Sequence, residues 1–599
     1  MTDFDTVFKT GLRTNLCGTL NKEYAQKEVI LCGWVFKRRD HGKLIFIDLR
    51  DFSGIIQIVF NPLFNEESYE IAKDIRNEFV LQVKGIVKER TKDTINTDIA
   101  TGEIEVFIKE VKILSKSKTL PFMLENRDQV DELTRLKYRY IDLRTNEMQK
   151  NLRLKSQIMH ITRNYLNSCG FVEIETPILA KSTPEGARDF LVPSRLNPNK
   201  FYALPQSPQL FKQILMFSGF DRIYQLARCF RDEDLRADRQ PEFTQIDLEM
   251  TFVKQEDVMA IIEGLIKEIF NKVLNIDINL PIEKITWFES MSNYGSDKPD
   301  LRFDLKINDI SEIFKDSEVK IFKDTLANNG VIKCIKIENS NAFSRKELDD
   351  FIVLAKANGA GGLLWIKIDE NLQMQSPIAK FLNENEKMQL FKKLDLKAND
   401  LLLIVSDKFI NACTALGVIR NQIAQKLNLI NKNEYKFAWI YEFPLFEFDE
   451  KENKLKSVHH PFTMPDSKTI NYLDSDPLKV NSISYDIILN GTELGGGSIR
   501  INDIDLQTKI FKLLKVDLNK AKDNFGFFLN AMEYGTPPHG GIALGLDRLV
   551  MLLGNLKSIR EVIAFPKTQS AVDMMTESPS SVNENQLKEL YIKTIKYEE

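Results

Sequence analysis

The segment from Arg222 to Phe252 constrains the fold of this chain more than any other. It contains two runs typical of β-strands, separated by a polar loop at residues 234–240. In the second run, residues 242–250, polar residues alternate with apolar ones, which is the period of two of a half-buried strand. Its polar face carries Gln245, Asp247 and Glu249. Arg231 precedes the loop and suits a triphosphate, because guanidinium N–H groups match phosphate oxygens in pairs. An amphipathic hairpin with a salt-bridged outer face is the alternative.

Composition excludes some classes of protein. The 599 residues suffice for roughly four domains. Lys and Arg number 82 against 86 Asp and Glu, so any nucleic-acid contact must depend on a local basic surface. No signal-peptide pattern and no apolar run of roughly 20 residues is present, which predicts a cytoplasmic protein without a membrane partner. The six cysteines form no Cys-x-x-Cys pair, which favours reduced thiols over disulfides or zinc.

Residues 15–115 predict about five short strands, with a helix at residues 66–77 between the third and the fourth. This arrangement indicates an OB-type barrel, a fold that often binds single-stranded nucleic acid. Basic residues at 37–39 and 43, beside Phe46, supply charge and a stacking face. A small barrel with a solvated basic turn is the alternative.

The segment after the barrel divides into a polar connector (116–150), a helix (151–169) and a strand that ends at Pro177. The helix and strand suit a core or a subunit interface. Two proline-containing loops, 182–190 and 202–212, line a pocket or are surface turns. Residues 285–425 alternate helices and short strands, which predicts an inserted α+β domain without a catalytic constellation.

Residues 484–501 predict a hairpin with Asn490-Gly491 as its turn, the strongest short-range hairpin signal. In that register Asp486 faces Gly495, and Asp486 and Glu493 project from one face within reach of a hard cation. Arg500 falls on the opposite face unless a bulge within residues 495–497 resets the alternation. We therefore expect a bulge there if all three side chains serve one site.

Two further stretches carry candidate site residues. His459 and His460 lie in a proline-bounded loop, but without cysteines or close acids a zinc site is not predicted. Residues 539–549 predict a glycine-rich strand that enters a helix at Arg548. Asp547 is placed to cap that helix, and Arg548 at its start can meet an anion. Tight packing is the alternative explanation of the glycines.

Taken together, these stretches resemble the three signature motifs of the class II aminoacyl-tRNA synthetases. The helix and strand ending at Pro177 resemble the first motif, residues 230–233 with the return strand the second, and residues 541–549 the third. Segments 183–189, 206–209, 240–243, 459–462 and 495–498 are similar to the bacterial-type aspartyl-tRNA synthetases. The resemblance spans nearly the whole chain, and its nearest alternatives are the asparaginyl and lysyl enzymes or a non-catalytic RNA-binding paralogue.

The resemblance implies an α+β multidomain fold. Its parts are an N-terminal OB-fold β-barrel at 1–115, a connector at 116–150, an antiparallel-sheet catalytic domain at 151–284 and 426–570, an inserted α+β (GAD-type) domain at 285–425 and a C-terminal extension at 571–599. It also implies a homodimer. The reaction joins L-aspartate and ATP to aspartyl-adenylate and then transfers the aspartyl group to the 3′ end of tRNA(Asp), with tRNA(Asn) as a second candidate.

The resemblance assigns roles to individual residues. Residues matching the catalytic positions are Arg231, Glu233 and Arg548. Those matching the ATP site are Arg231, Asp232, Glu233, Gln240, Glu493, Gly545, Leu546, Asp547 and Arg548. Those matching the aspartate site are Glu185, Gln209, Lys212, Arg231, Asp247, His459 and Arg500, and Asp486 and Glu493 match ligands of Mg²⁺. Those expected to meet the tRNA anticodon are Arg39, His41, Phe46, Gln57 and Glu105. By the same resemblance, a His at position 41 accompanies enzymes that charge both tRNAs.

Overall fold

The computed structural model describes residues 7–183, 186–233, 235, 238–338, 342–516 and 518–595, and of residues 518–522 it describes the backbone alone. The chain divides into two compact units, Met1–Gln149 and Lys150–Glu599. Among the described residues, no helix has both the length and the apolar character needed to cross a membrane.

The first unit contains a closed five-stranded barrel, which confirms the prediction. Its strands are β1 (Glu28–His41), β2 (Leu44–Asp51), β3 (Gly54–Phe60), β4 (Val80–Glu89) and β5 (Ile104–Ser115). They pair in the order β1-β2-β3-β5-β4, and helix α1 (Glu66–Asp74) lies between β3 and β4 in sequence. The basic residues at 37–39 lie on β1, and Lys43 lies with Gly42 in the turn that follows this strand.

The predicted connector has helices of its own. They are α2 (Glu132–Lys137) and α3 (Arg139–Asp142), and α4 (Asn146–Ser168) begins before the connector was expected to end. The buried carboxylate of Asp142 accepts hydrogen bonds from Arg127 and Arg139, which gives this polar segment a fixed internal structure.

The second unit has one large and several small sheets. Its strands are β6 (Val172–Glu173), β7 (Leu191–Pro193), β8 (Phe201–Ala203), β9 (Arg222–Phe230), β10 (Glu242–Thr251), β11 (Lys284–Thr286), β12 (Ile307–Asp309), β13 (Val331–Ile337), β14 (Leu364–Ile368), β15 (Met374–Gln375), β16 (Leu401–Asp407), β17 (Phe437–Tyr441), β18 (Phe446–Asp449), β19 (Lys454–Ser457), β20 (Ser484–Leu489), β21 (Thr492–Ile499) and β22 (His539–Gly545). Its later helices are α5 (Gln209–Phe217), α6 (Gln255–Leu274), α7 (Trp287–Tyr294), α8 (Lys320–Ala327), α9 (Arg345–Ala357), α10 (Glu384–Leu394), α11 (Phe409–Lys426), α12 (Ile504–Leu513), α13 (Leu518–Met532), α14 (Leu546–Leu553) and α15 (Glu584–Glu589).

The large sheet has eight strands in the order β11-β17-β20-β21-β22-β10-β9-β6. Its neighbouring strands are antiparallel except in the outer pairs β11–β17 and β9–β6. The apolar residues of β10 pack with those of α4 and α6 in one core, as the alternation predicted. The polar residues of β10 therefore occupy the opposite face of the sheet.

The segment predicted as an inserted domain forms a five-stranded sheet, β12-β13-β16-β14-β15, between two apolar clusters. This agrees with the predicted α+β content, while the domain boundaries stay a prediction. Within the segment predicted as a loop at 202–212, residues up to 203 belong to β8 and α5 begins at Gln209, so that prediction is wrong at both ends. Leu210, Ile214 and Phe217 follow Gln209 at helical spacing and pack into one apolar cluster on one side of α5.

Candidate active site

The hairpin of β20 and β21 turns at Asn490 and Gly491, whose positive φ angles of 51° and 79° belong to a two-residue hairpin turn. Ile488 pairs with Glu493, but Ile487 pairs with Gly495, so Leu494 is the extra residue of a bulge. The bulge precedes the glycine run rather than lying within it. Asp486 consequently faces Gly496, and the predicted pairing with Gly495 is wrong.

The bulge resets the alternation of β21. Asp486, Glu493 and Arg500 therefore line one cavity of about 580 Å³ on the polar face of the large sheet. Most other predicted site residues line the same cavity: Gln209, Lys212, Arg231, Glu233, Gln240, His459, Gly545, Asp547 and Arg548. Sequence segments up to about 360 positions apart thus meet in one space, large enough for a nucleotide or a metabolite.

Four buried charges lie together at one end of the cavity. Arg500 donates from Nε to Glu249 Oε1 at 2.9 Å and from Nη2 to Oε2 at 3.3 Å. Lys212 Nζ lies 3.1 Å from Glu249 Oε2 and 3.2 Å from Asp247 Oδ1. Burial alone would raise the pKa of Glu249, but the two cations outweigh it and lower the pKa to about 2. Burial raises the pKa of Asp247, although Lys212 opposes this.

Arg231, Glu233 and Arg548 occupy another part of the cavity wall. Arg231 lies over the ring of Phe243, with its guanidinium carbon 5.2 Å from the ring centroid. Glu233 Oε2 accepts from Arg239 at 2.7 Å. Arg548 donates from Nη1 to the main-chain oxygen of Glu493 at 2.7 Å. Cations therefore line the space beside the second and third motifs, as binding of a polyphosphate requires.

Gln240 and Asp547 each fix neighbouring segments. The side-chain amide of Gln240 pairs with the main chain of Lys567, accepting at 2.8 Å and donating at 3.0 Å. Asp547 accepts from the main-chain nitrogen of Thr244 at 2.8 Å and from Lys155 of α4. Gly545 occupies the N-cap position of α14, without a side-chain cap. The prediction that Asp547 caps the helix is wrong. Asp547 lies in the first turn of α14, and its carboxylate accepts hydrogen bonds from β10 and α4 instead.

Three of the predicted residues that the structure describes do not line the cavity. Asp232 lies beside Arg188, at 3.5 Å. Leu546 belongs to the apolar core, so its main chain alone can reach a ligand. Asp247 is buried behind Lys212 and lines a small adjoining pocket. Glu185 lies outside the described residues. Their assigned roles stay predictions.

The chemistry of Asp486 and Glu493 fits Mg²⁺. Burial and then the negative charge of Asp486 raise the pKa of Glu493, although the positive charge of Arg548 opposes this. Within the described residues, no group of three or more His, Cys, Asp or Glu side chains is arranged to hold a metal. Two carboxylates are the protein ligand set that Mg²⁺ takes where phosphates complete its shell.

The two adjacent histidines have opposite electrostatic surroundings. Burial opposes protonation of His459, but Asp486, whose Oδ1 lies 3.1 Å from Nε2, outweighs it and raises the pKa. Burial, followed by the charges of Arg500 and Lys212, lowers the pKa of His460 to about 3. His460 Nδ1 accepts from Phe462, so Nε2 carries the proton of the neutral ring.

The residues expected to contact the anticodon lie on the outer face of the barrel. Ile45, Ile47 and Leu49 fill its interior, so Phe46 between them points outwards, and the ring of His41 lies 5.8 Å from that of Phe46. Hydrogen bonds join Arg39 to Gln57 and Gln57 to Glu105. The structure thus brings all five residues to one surface.

Sequence reasoning missed several residues of both surfaces. It placed Glu249 on the polar face of β10 but did not foresee that this carboxylate neutralises Arg500 and Lys212. Lys155 was also missed, because an ion pair between segments 392 positions apart leaves no local sequence pattern. Asp48 was missed as well, although its partner Arg39 lies nine positions away on the neighbouring strand β1. The period of two in residues 242–250 is the signal from which Glu249 could have been found.

Comparison with known proteins agrees with this geometry. Residues 131–569 match the family described as tRNA synthetases class II (D, K and N), and residues 29–114 match the OB-fold nucleic acid binding domain. The chain therefore belongs to the class II tRNA synthetases of the D, K and N family. It is an aminoacyl-tRNA synthetase with an OB-fold domain, and the predicted fold class is confirmed.

Curated relatives are similar to this chain over nearly its whole length. The aspartate--tRNA(Asp/Asn) ligase of Thermoanaerobacter sp. (strain X514) is 52% identical, over 97% of this chain and 98% of its own length. The aspartate--tRNA(Asp/Asn) ligase of Natranaerobius thermophilus is 50% identical, over 98% of this chain and 100% of its own length. The resemblance to the bacterial-type aspartyl-tRNA synthetases is thus confirmed.

Solved structures share the fold. The asparaginyl-tRNA synthetase from Pyrococcus horikoshii complexed with asparaginyl-adenylate aligns with a TM-score of 0.59 at 20% identity, over 93% of this chain and 98% of its own. A putative aspartyl-tRNA synthetase from Leishmania major Friedlin aligns with a TM-score of 0.58 at 21% identity, over 93% of this chain and 95% of its own length.

Proposed function

We propose that the chain is an aspartate–tRNA ligase that activates L-aspartate with ATP and transfers the aspartyl group to the 3′ end of tRNA(Asp). Membership of the family and about 50% identity to relatives named aspartate--tRNA(Asp/Asn) ligase support this activity. The cavity contributes the chemistry of the substrate, which the family alone leaves among aspartate, lysine and asparagine.

The observation that carries the proposal is the number of hydrogen-bond donors left at the buried end of the cavity. Arg500 uses four of its five N–H groups, two on Glu249, one on Ser498 and one on a main-chain oxygen. Lys212 donates one hydrogen bond to Asp247 and forms an ion pair with Glu249 at 3.1 Å. Each cation therefore keeps at least one N–H that donates to no described residue, and the two oxygens of a substrate carboxylate can accept from both cations. The amide of asparagine would place N–H against N–H, and a lysine would bring a third cation.

The first step needs positioning and charge neutralisation rather than a general base, because a carboxylate with a pKa of about 4 is already ionised at neutral pH. Arg231 is proposed to neutralise the α-phosphate and Arg548 the γ-phosphate, with Glu233, Gln240, Gly545 and the main chain of Leu546 around the nucleotide. Asp486 and Glu493 would hold Mg²⁺, which supplies positive charge to the phosphates. Gln209, His459 and Asp247 are proposed to orient the aspartate.

Amino-acid-dependent ATP–pyrophosphate exchange tests the proposal. We expect exchange with aspartate, and none with asparagine or lysine. The double variant R500L/E249Q should abolish it, and it removes both partners of the ion pair, so no unpaired charge is left buried and Lys212 retains Asp247. The matched control R302L/D300N removes another largely buried pair, at 2.6 Å and away from the cavity, and should retain exchange. Aspartate exchange by R500L/E249Q would remove Arg500 from the site.

We further propose that tRNA(Asn) is a second substrate. His41 beside Phe46, and relatives named for both tRNAs, support this. Purified tRNA(Asp) and tRNA(Asn) should both be charged by the wild type, and His41→Leu should slow the charging of tRNA(Asn) selectively. Equal effects on the two tRNAs would contradict the assignment.

A cytoplasmic homodimer completes the proposal. The six free cysteines support a reducing compartment. Helix α4 and the segment ending at Pro177 are the proposed dimer element. Val172 in this segment exposes about half of its surface, as do Ile178 and Leu179 directly after it. Sedimentation at micromolar concentration should give twice the mass of 69.2 kDa. A mass of one chain at this concentration would contradict the proposed dimer.

A further inference from the structure

The outer face of the barrel carries a chain of hydrogen bonds that crosses four strands. Arg39 of β1 donates to both carboxylate oxygens of Asp48 on β2, at 2.7 and 2.6 Å. Nη2 of Arg39 also donates to Gln57 Oε1 on β3 at 3.0 Å. Nε2 of Gln57 donates to Glu105 Oε2 on β5 at 2.8 Å. The chain therefore runs from β1 to β5 through one amide.

The chemistry of the two neighbours fixes the orientation of that amide. A guanidinium has no acceptor, so the oxygen of Gln57 must face Arg39. An ionised carboxylate has no donor, so the nitrogen must face Glu105. Rotation of the amide by 180° would place N–H against N–H and oxygen against oxygen. Among the described residues, one N–H and one lone pair of Gln57 have no partner, and such a donor and acceptor side by side can bind the edge of a nucleobase.

The orientation of Gln57 depends on Arg39, and that of Arg39 depends on Asp48. An arginine side chain is long and flexible, but a fork of two N–H groups on one carboxylate holds its plane. Asp48 is directly opposite Gln57 in the β2–β3 register, and its side chain is 14% exposed. Asp48 therefore lies beneath the polar surface, where it contacts Arg39 and not the solvent-facing side of the amide.

We propose that Asp48 is a positioning residue for base recognition. Through Arg39 it fixes which end of the Gln57 amide faces a nucleobase of a single-stranded tRNA loop. The inference rests on the proposed function and adds to it a residue that does not itself touch the RNA. The alternative is that the Arg39–Asp48 pair serves barrel stability alone, although ion pairs that are partly exposed add little stability.

The test is aminoacylation by Asp48→Ala with transcripts of tRNA(Asp) that differ in a single anticodon base. The kcat/KM of the tRNA(Asp) transcript with the wild-type anticodon is divided by that of each substituted transcript, which gives a discrimination ratio. We expect Asp48→Ala to lose about tenfold or more of this ratio at one anticodon position, the size of a lost base-edge contact. Asp48→Asn retains one acceptor and should lose less.

A mutant cycle separates positioning from stability. If Asp48 acts through Gln57, the double variant D48A/Q57A should discriminate no worse than Gln57→Ala alone. The matched control is Glu110→Ala, which removes an exposed partner of Lys84, 3.1 Å away, from the same barrel and should leave the ratio unchanged. Unchanged ratios in both Asp48 variants, or additive losses in the double variant, would overturn the proposal.

Pyrophosphate exchange distinguishes this inference from the proposed function. Exchange uses ATP and aspartate without tRNA, so all barrel variants should match the wild type. If the wild type itself shows no aspartate-dependent exchange, the proposed function fails. If exchange is normal in every variant and discrimination by Asp48→Ala is intact, the positioning role alone fails.

Discussion

The replacement of Glu249 by Gln is the sharpest perturbation of the buried charge cluster. The change preserves the shape of the side chain but removes the negative charge between Arg500 and Lys212. The pKa of Glu249 lies at about 2, against an ordinary 4.5, because the two cations favour its ionised form. At about 1.4 kcal/mol per pKa unit, the ionised group stabilises the fold by about 3 kcal/mol at neutral pH. Removal of one partner from a buried pair costs about 3–5 kcal/mol in general, which agrees.

The pH dependence of this loss of stability follows from the direction in which folding shifts the pKa of Glu249. A carboxyl whose pKa is lowered by folding contributes its full stability above the unfolded pKa of 4.5, and loses it as the pH falls through about 2. The difference in unfolding free energy between wild type and Glu249→Gln should therefore be about 3 kcal/mol at pH 7 and about half of that at pH 3.

Urea unfolding followed by the fluorescence of Trp439 measures this difference. Trp439 is fully buried in β17 and reports on the large sheet once the other three tryptophans, Trp34, Trp287 and Trp365, are replaced by Phe. The matched control Glu447→Gln removes an exposed carboxylate of the same unit and should leave the midpoint unchanged. A loss that is equal at pH 3 and pH 7 would show that the charge of Glu249 does not stabilise the fold.

Three further outcomes are expected. Lys155→Met should lower kcat/KM for ATP in pyrophosphate exchange by about tenfold or more, because Lys155 ties the start of α14 to α4, whereas the exposed Lys150→Met should not. Gly541→Ala should destabilise the large sheet by about 1–3 kcal/mol in thermal unfolding, because the added methyl group would lie 2.1 Å from a main-chain oxygen of β10. The control Gly526→Ala should not destabilise the protein, because outside its own helix no described atom lies within 4 Å of the new methyl group. In NMR spectra of ¹³C-histidine protein, His460 should stay neutral from pH 5 to 8, since its pKa is lowered to about 3, and a titration near 6.5 would contradict this.

The sequence predicted those elements of the site whose structure depends on a single strand or a single turn. The alternation in β10, the Asn490-Gly491 turn and the strand entering α14 were all expected, because local sterics and amphipathicity determine them. The hairpin also required a bulge for Arg500 to reach the cavity. The structure has one at Leu494, ahead of the glycines.

The rest depends on which distant segments meet, and local patterns carry no information about this. Asp547 illustrates the limit, since its position beside a helix start predicted a cap. In the fold its carboxylate receives hydrogen bonds from β10 and α4, which lie about 300 and 390 positions away in sequence. A buried carboxylate is stabilised more by an ammonium group and a main-chain N–H than by a cap alone. Tertiary pairing therefore outweighed the local preference.

Ion pairing also changes how the proposed site can select a carboxylate. The resemblance assigns the cations Arg500 and Lys212 to the aspartate site, and two unpaired cations would reject an amide by net charge alone. In the structure Arg500 pairs with Glu249, and Lys212 pairs with both Glu249 and Asp247, so the four groups form a cluster without excess charge. In the proposed aspartate site, discrimination would then come from the direction of the remaining N–H groups rather than from excess charge. Because Glu249 holds these donors in place before a substrate binds, we expect selectivity to depend on the same carboxylate that stabilises the fold.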